Sequence, residues 1–248
     1  MAEKHAAATY VEAITAGEAD QRARKAFQDL VLRIATPGAV LFDFGAGPGL
    51  DARFYAEHGF TVGAYDVDPE MRDYFHAHCL DLIRAGRVTL DDGTYPEFVS
   101  SDAVPGGHPI ELVTSNFAPL NLIENLQPLF ARLHRITAPE GRALASVLSP
   151  YFIGDMKYGW WWWNAFNLWH AGRYSVPGAK GPIVRRSLGD FARAGHPYFT
   201  LERVFPGSPS LPGYIHGIDV SQGGGRAWVQ LTRAQYMFLL FRKCARRV

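Results

Sequence analysis

Apolar and polar residues fall along the chain in two alternating kinds of block. Short runs that are apolar at nearly every position, AVLFDF at 39–44 and FTVGAYD at 60–66, suit strands buried on both faces. Between them lie longer stretches whose apolar residues recur at the spacing of one helix face. Continued along the sequence, the pattern predicts helices over 8–35 (Ala23, Phe27, Leu30 and Ile34 on one side), 50–59, 69–86, 122–136 and 187–195. It predicts strands over 39–44, 60–66, 87–93, 109–117, 142–150, 199–206 and 233–243. The punctuation agrees with this reading. Pro37-Gly38 stops the first helix, Gly59 closes the second, Pro69 opens the third, and Pro139-Glu140-Gly141 reads as a turn.

Such alternation argues an α/β fold: a Rossmann-like, doubly wound, mostly parallel sheet of seven strands with helices on both faces. The 248 residues suit one domain. Its expected parts are an N-terminal helical segment at 1–36, a ligand-binding core at 37–150, an insertion at 151–183 where the rhythm breaks, and the rest of the sheet at 184–248.

The sharpest chemical signal is LFDFGAGPGLD. Gly45, Ala46, Gly47 and Gly49 follow the first strand and open the first core helix. Glycines there permit unusual backbone angles and let a ligand approach the main chain closely. A dinucleotide fingerprint would space them G-x-G-x-x-G; here the third glycine comes one residue early. The loop also has no Lys, which excludes a nucleoside-triphosphate P-loop. Asp66 ends the second strand, where a carboxylate can accept both hydroxyls of a ribose. The ligand expected from these residues contains a nucleoside.

With these motifs in view, the chain resembles the class I S-adenosylmethionine-dependent methyltransferases of the small-molecule group. LFDFGAGPG, with Asp43 before the loop, is similar to the family's first motif, and YDVDPEM to its second. The resemblance implies S-adenosylmethionine as cofactor, with S-adenosylhomocysteine as product. It implies ribose binding by Asp66, adenine contacts from Val67 and Met71, and an acid near the adenine amino group at Asp92, followed by Gly93. ELVTSNFAPLN resembles the fourth motif, which places Asn116 and Phe117 at the methionine half of the cofactor. Tyr10, in the N-terminal helix, is expected to reach the cofactor as such helices often do in this family. The likeness covers roughly residues 35–150 and does not specify an acceptor.

YGWWWWNAFNLWHAG, residues 158–172, holds five of the six tryptophans, four of them consecutive. Burying one Trp is worth up to about 5 kcal/mol, so such a stretch must face a core, a ligand, a partner or a membrane. As a helix, its four consecutive Trp sweep roughly 300°, so they cannot all enter one core. The insertion follows the fifth strand, near the carboxyl edge where doubly wound folds bind ligands. Trp162, Trp163, Phe166 and Trp169, with Asn121, are therefore expected to roof an apolar acceptor. Packing against the sheet domain, a homodimer interface and shallow membrane contact are the alternatives. His170 is the candidate base, with Tyr158 beside it; Asp155 and His196 are weaker candidates.

Composition narrows the rest. A net charge of +1 leaves no electrostatic footprint for nucleic acid. Cys79 and Cys244 are too few for a disulfide framework or a zinc site, and His76 and His78 point to different sides of their helix, so no metal is expected. The N-terminus lacks an apolar leader and no segment is long and apolar enough to span a membrane, which points to the cytoplasm. The expected function is transfer of a methyl group to oxygen or nitrogen of a small, aromatic or apolar metabolite, by proximity and in-line alignment. The alternatives are carboxyl methylation of a free or carrier-bound acid, and a non-catalytic regulatory protein that binds S-adenosylmethionine.

Overall fold

The computed structural model describes residues 17–178, 181–211, 214–220 and 229–245. The chain opens with helix α1 (Glu18–Ile34), followed by β1 (Val40–Phe44), α2 (Leu50–Glu57), β2 (Thr61–Tyr65), α3 (Pro69–Arg84) and β3 (Val88–Asp91). Then come α4 (Tyr95–Ser100), β4 (Ile110–Ser115), α5 (Gln127–Ile136) and β5 (Thr137–Leu148). After β5 lie α6 (Gly159–Ala171), β6 (Arg173–Val176), β7 (Ile183–Arg186), α7 (Leu188–Gly195), β8 (Phe199–Pro206), β9 (Ile218–Asp219) and β10 (Tyr236–Lys243).

Among the described residues the main sheet has eight strands in the order β3-β2-β1-β4-β5-β10-β8-β9. The first five run parallel; β10 is antiparallel to both β5 and β8. Seven of these strands are the expected ones, and the eighth is the two-residue β9 at the edge. Chain order reverses between β1 and β4, so the carboxyl ends of these two strands flank the crevice where such sheets bind ligands.

Alternation along the strands divides the core. Phe42 and Phe44 face one layer with Phe98, Phe130, Phe191 and Phe241. Leu41 faces the other with Phe27, Tyr55, Phe75 and Phe238. Asp43 lies between Phe42 and Phe44, so period two turns it toward the layer of α1 and α2.

Four local expectations are corrected. Helix α4 was not anticipated, although Thr94 and Glu97 form a capping box there, with the Thr94 amide donating to Glu97 Oε2 at 2.7 Å. Helix α5 begins at Gln127, not 122, because Pro119–Leu122 forms a separate 3₁₀ turn. The expected turn at 139–141 lies inside β5, where the pairing with β4 shifts register between Ile110 and Leu112. The Gly/Pro-rich segment after the tryptophans carries an unanticipated second small sheet, β6 antiparallel to β7, whose last strand ends at Arg186. Its burial rests on arginines rather than on an apolar alternation: Arg186 donates to the carbonyls of Leu120, Ile123 and Glu124.

Asn121 fastens this cap to the sheet. Its Nδ2 donates to the Val184 carbonyl at 2.7 Å, and its Oδ1 accepts from the Leu148 amide at 3.0 Å. Fully buried, it ties β7 to the end of β5. Asn121→Ala strands two backbone groups and is expected to destabilise the protein by about 2–5 kcal/mol, read as a lower urea midpoint.

Candidate active site

The glycine loop lies between β1 and α2. Gly45, Gly47 and Gly49 have φ of 73°, 54° and 84°, a region that favours glycine. Packing adds a second demand at two of them. A Cβ at Gly45 would lie 2.4 Å from Pro119 Cγ, and one at Gly49 would lie 2.8 Å from the Phe75 ring. At Gly47 a Cβ would meet nothing within 4 Å, so the middle of the loop is bare backbone facing open space. The Gly45 and Ala46 amides donate to the Tyr65 carbonyl at 2.8 and 3.0 Å. Asp66, just past β2, accepts from the Gly47 amide at 2.7 Å and the Asp68 amide at 2.9 Å.

A buried acid cluster adjoins the loop. Asp43 Oδ1 accepts from the Thr114 hydroxyl at 3.0 Å, while its Oδ2 is buried with no hydrogen-bond partner. Asp51, in the first turn of α2, accepts from Arg24 at 2.7 Å, Gln28 at 2.7 Å and Asn116 at 3.1 Å. Burial, and after it the Asp51 charge, push the Asp43 carboxyl up to about 8. The Arg24 guanidinium also lies 4.5 Å from the centroid of the Phe117 ring. Phe117 and Ala118 are consecutive non-glycine residues with φ of 59° and 66°. Such backbone costs on the order of 1–3 kcal/mol per residue and concentrates at functional sites.

On the far side of the loop, Val67 is exposed and Met71 is buried. Behind them Tyr65 stacks on Phe98 with centroids 4.2 Å apart. Asp91 Oδ1 accepts from the Gly93 amide at 3.2 Å, whereas Asp92 is exposed. Of the two acids, Asp91 is the one turned into this loop.

Residues 18–178 match the family model described as a methyltransferase domain. The chain belongs to this family, the class I S-adenosylmethionine-dependent methyltransferases. A comparison with curated protein sequences finds no match. Among solved structures, a TehB-like methyltransferase from Corynebacterium glutamicum superposes with a TM-score of 0.62 at 16% identity, covering 98% of this chain and 99% of that one. A 1,6-didemethyltoxoflavin-N1-methyltransferase from Burkholderia thailandensis, solved with that compound and S-adenosylhomocysteine, gives 0.57 at 18%, covering 96% and 86%. A geranyl diphosphate C-methyltransferase from Streptomyces coelicolor gives 0.56 at 14%, covering 89% and 76%. At these identities the superpositions show the fold.

The methyltransferase's own residues suit a cationic nucleoside donor. The bare backbone at Gly47 admits close approach. The protonated Asp43 carboxyl is placed to donate through its partnerless oxygen to a carboxylate or a water. The Asp66 carboxylate stands beside the loop, fixed by the Gly47 and Asp68 amides. Arg24, Gln28 and Asp51 were missed in the sequence because α1 meets the loop only through tertiary packing; the acid in GLD, next after the glycines, was the available signal. Tyr10 lies outside the described residues.

Helix α6 divides its aromatic residues between two stripes. Trp161, Ala165 and Leu168 form the inner stripe of α6, and with Pro150, Tyr151 and Tyr174 they line a cavity of about 330 Å³. Trp162, Trp163, Phe166 and Trp169 are exposed. They occupy the adjoining outer stripe, since one residue turns a helix by about 100°. None of the four lines that cavity; Trp169, with His170, Tyr151, Ala165 and Leu168, lines a second one of about 620 Å³. His170 is exposed and stacks on Phe166 at 6.0 Å; Tyr158 stacks on Trp160 at 5.9 Å. These two stand at opposite ends of α6, about 18 Å apart along the axis, so they cannot serve one acceptor atom together. Asp155 is engaged by Arg185.

Two outcomes are expected. Gly45→Ala drives a methyl group into Pro119 and lowers S-adenosylmethionine affinity by at least about tenfold, measured by calorimetry. The raised Asp43 carboxyl keeps its proton in the native state after the unfolded chain has lost its own. Its contribution is therefore fully present below about pH 4 and is lost as pH rises toward 8. Ligand-free wild type should lose stability relative to Asp43→Asn between about pH 5 and pH 8, read as diverging urea midpoints.

Proposed function

We propose that the enzyme methylates a nitrogen or an acidic hydroxyl of a small, aromatic or otherwise apolar acceptor, held in the cavity beneath the inner stripe of α6. The observation that carries this reading is the cavity itself. Its size lies at the lower end of small-molecule sites. It also sits at the carboxyl edge of the sheet: the Ile153 amide donates to Thr232, and from there the chain runs to Tyr236, whose ring meets Phe117 edge-on at 5.8 Å. The Burkholderia and Streptomyces enzymes named above act on small molecules, which supports the same substrate class here.

The donor, when bound, supplies an electrophilic methyl on a positively charged sulfur. In this reading Gly45, Ala46, Gly47 and Gly49 hold it by main chain, Asp66 takes the ribose hydroxyls, and Val67 and Met71 flank the adenine. The Asp91–Gly93 turn faces the adenine edge. Asp43, Asn116 and Phe117 surround the methionine end. Alignment of nucleophile, methyl and sulfur can be worth about 7–11 kcal/mol, so positioning carries most of the catalysis.

The lining of the cavity restricts the acceptor. Its polar groups are hydroxyls and one indole N–H. Burial raises both Tyr151 and Tyr174 above the ordinary phenol range, so they remain neutral. No carboxylate, imidazole or amine lines it. An acceptor must bring its own nucleophile, as an amine, a ring nitrogen or an acidic phenol does. The buried, partnerless Nε1 of Trp161 suits one acceptor oxygen or nitrogen on an otherwise apolar body.

Incubation with labelled S-adenosylmethionine and a metabolite extract should label an apolar small molecule; labelling confined to protein or to strongly polar compounds would overturn the reading. With that acceptor in hand, Leu168→Trp fills the cavity and should raise its KM by about tenfold or more, leaving donor affinity within about twofold.

A further inference from the structure

Helix α6 has a second face that neither the donor site nor the acceptor cavity uses. No residue of the helix is buried. Trp162, Trp163, Phe166 and Trp169 expose 59, 80, 63 and 82% of their surface, and Tyr158, just before the helix, exposes 45%. These are the largest exposed apolar side chains among the described residues, gathered in one place. A soluble surface rarely keeps such a contiguous patch without something to cover it.

The helix meets its own polar needs. Trp162 Nε1 donates to the Met156 carbonyl at 2.9 Å, Asn164 to the Trp160 carbonyl at 2.9 Å, and Asn167 to Asn164 at 3.3 Å. It carries no charged residue, and its ends are bracketed by exposed Lys157 and Arg173. Arg185 and Arg186 are buried and engaged within the cap, so the exposed charge beside the helix is that of Lys157 and Arg173. The patch is thus aromatic in the middle and cationic at its rim.

We propose that the outer face of α6 docks the enzyme onto an anionic lipid bilayer. Trp and Tyr favour the boundary between headgroups and acyl chains, and Lys and Arg at the rim complement anionic headgroups. Thirteen residues make a helix about 20 Å long, too short to cross a hydrocarbon core of about 30 Å, so α6 lies in the interface plane. A two-fold pairing of α6 along its own length would run antiparallel. It would set Lys157 of one copy against Arg173 of the other, a like-charge contact that disfavours a dimer through this face. Among the described residues, the cavity this face borders, about 620 Å³, takes in Trp169 and His170 near the end of the helix and leaves Trp162, Trp163 and Phe166 outside it.

The test is co-sedimentation of the full-length protein with vesicles, followed by Trp emission. Vesicles of phosphatidylcholine with about 30% phosphatidylserine should bind the protein with a blue shift, and neutral phosphatidylcholine vesicles at least about tenfold more weakly. Trp163→Gln with Trp169→Gln should reduce binding by about tenfold or more, and Lys157→Ala with Arg173→Ala should remove the preference for anionic lipid. Unchanged circular dichroism melts show that these exposed substitutions leave the fold intact. Absence of binding at millimolar anionic lipid, or equal binding by the tryptophan variant, overturns the proposal. So does a concentration-dependent dimer in ultracentrifugation that the tryptophan variant abolishes without any vesicle binding.

Discussion

The Asp51 carboxylate holds three separate pieces of the chain around the glycine loop. Arg24 and Gln28 reach it from α1, Asn116 from the end of β4, and Asp51 itself stands in the first turn of α2. A carboxylate this buried is tolerated only because charge and hydrogen bonds surround it. Removing any partner would leave ionic or polar groups stranded away from water. The same charge acts on Asp43 one layer away and adds to the burial that keeps that carboxyl protonated. Docking of the N-terminal helix, the shape of the loop and the protonation of the site are therefore one coupled arrangement.

Strain at the end of β4 belongs to that arrangement. Phe117 and Ala118 hold left-handed backbone while Arg24 lies over the Phe117 ring and Asn116 accepts from the Phe117 amide at 2.9 Å. Directly after them, Pro119 packs against Gly45 closely enough to forbid a side chain there. Asn121 then binds the cap. A short segment, 116–121, thus joins the glycine loop on one side to the cap on the other.

Helix α6 is divided by packing and not by polarity. Both its stripes are aromatic or apolar, and only contact with Pro150, Tyr151 and Tyr174 distinguishes inner from outer. The cap beneath it is held by arginines. Arg185 lies over Trp160 at 5.4 Å and binds the Ser149 carbonyl, and Arg186 caps three carbonyls near 120–124. Cationic side chains with several donors can satisfy loop backbone that no strand would reach, which lets the cap sit over the sheet edge without a large core of its own.

The sequence by itself determined the sheet, the loop and its acid. Nearly continuous apolar runs such as AVLFDF can be buried only between two layers, and GAGPG after the first of them can only be a turn of bare backbone. These are local demands, so they are readable residue by residue. Hairpin β6–β7 was not legible, because its buried side chains include arginines whose partners lie about sixty residues away in sequence. Nor was the sidedness of the tryptophans, since a helix apolar all round carries no periodic signal. Tertiary structure alone decided that Arg24 and Gln28 meet Asp51 beside the glycine loop, that Asn121 is a buried tie, and that Trp161 faces inward while Trp163 faces out. Each of those outcomes depends on which distant group arrives opposite a side chain, and contact between distant segments is a property of the folded chain.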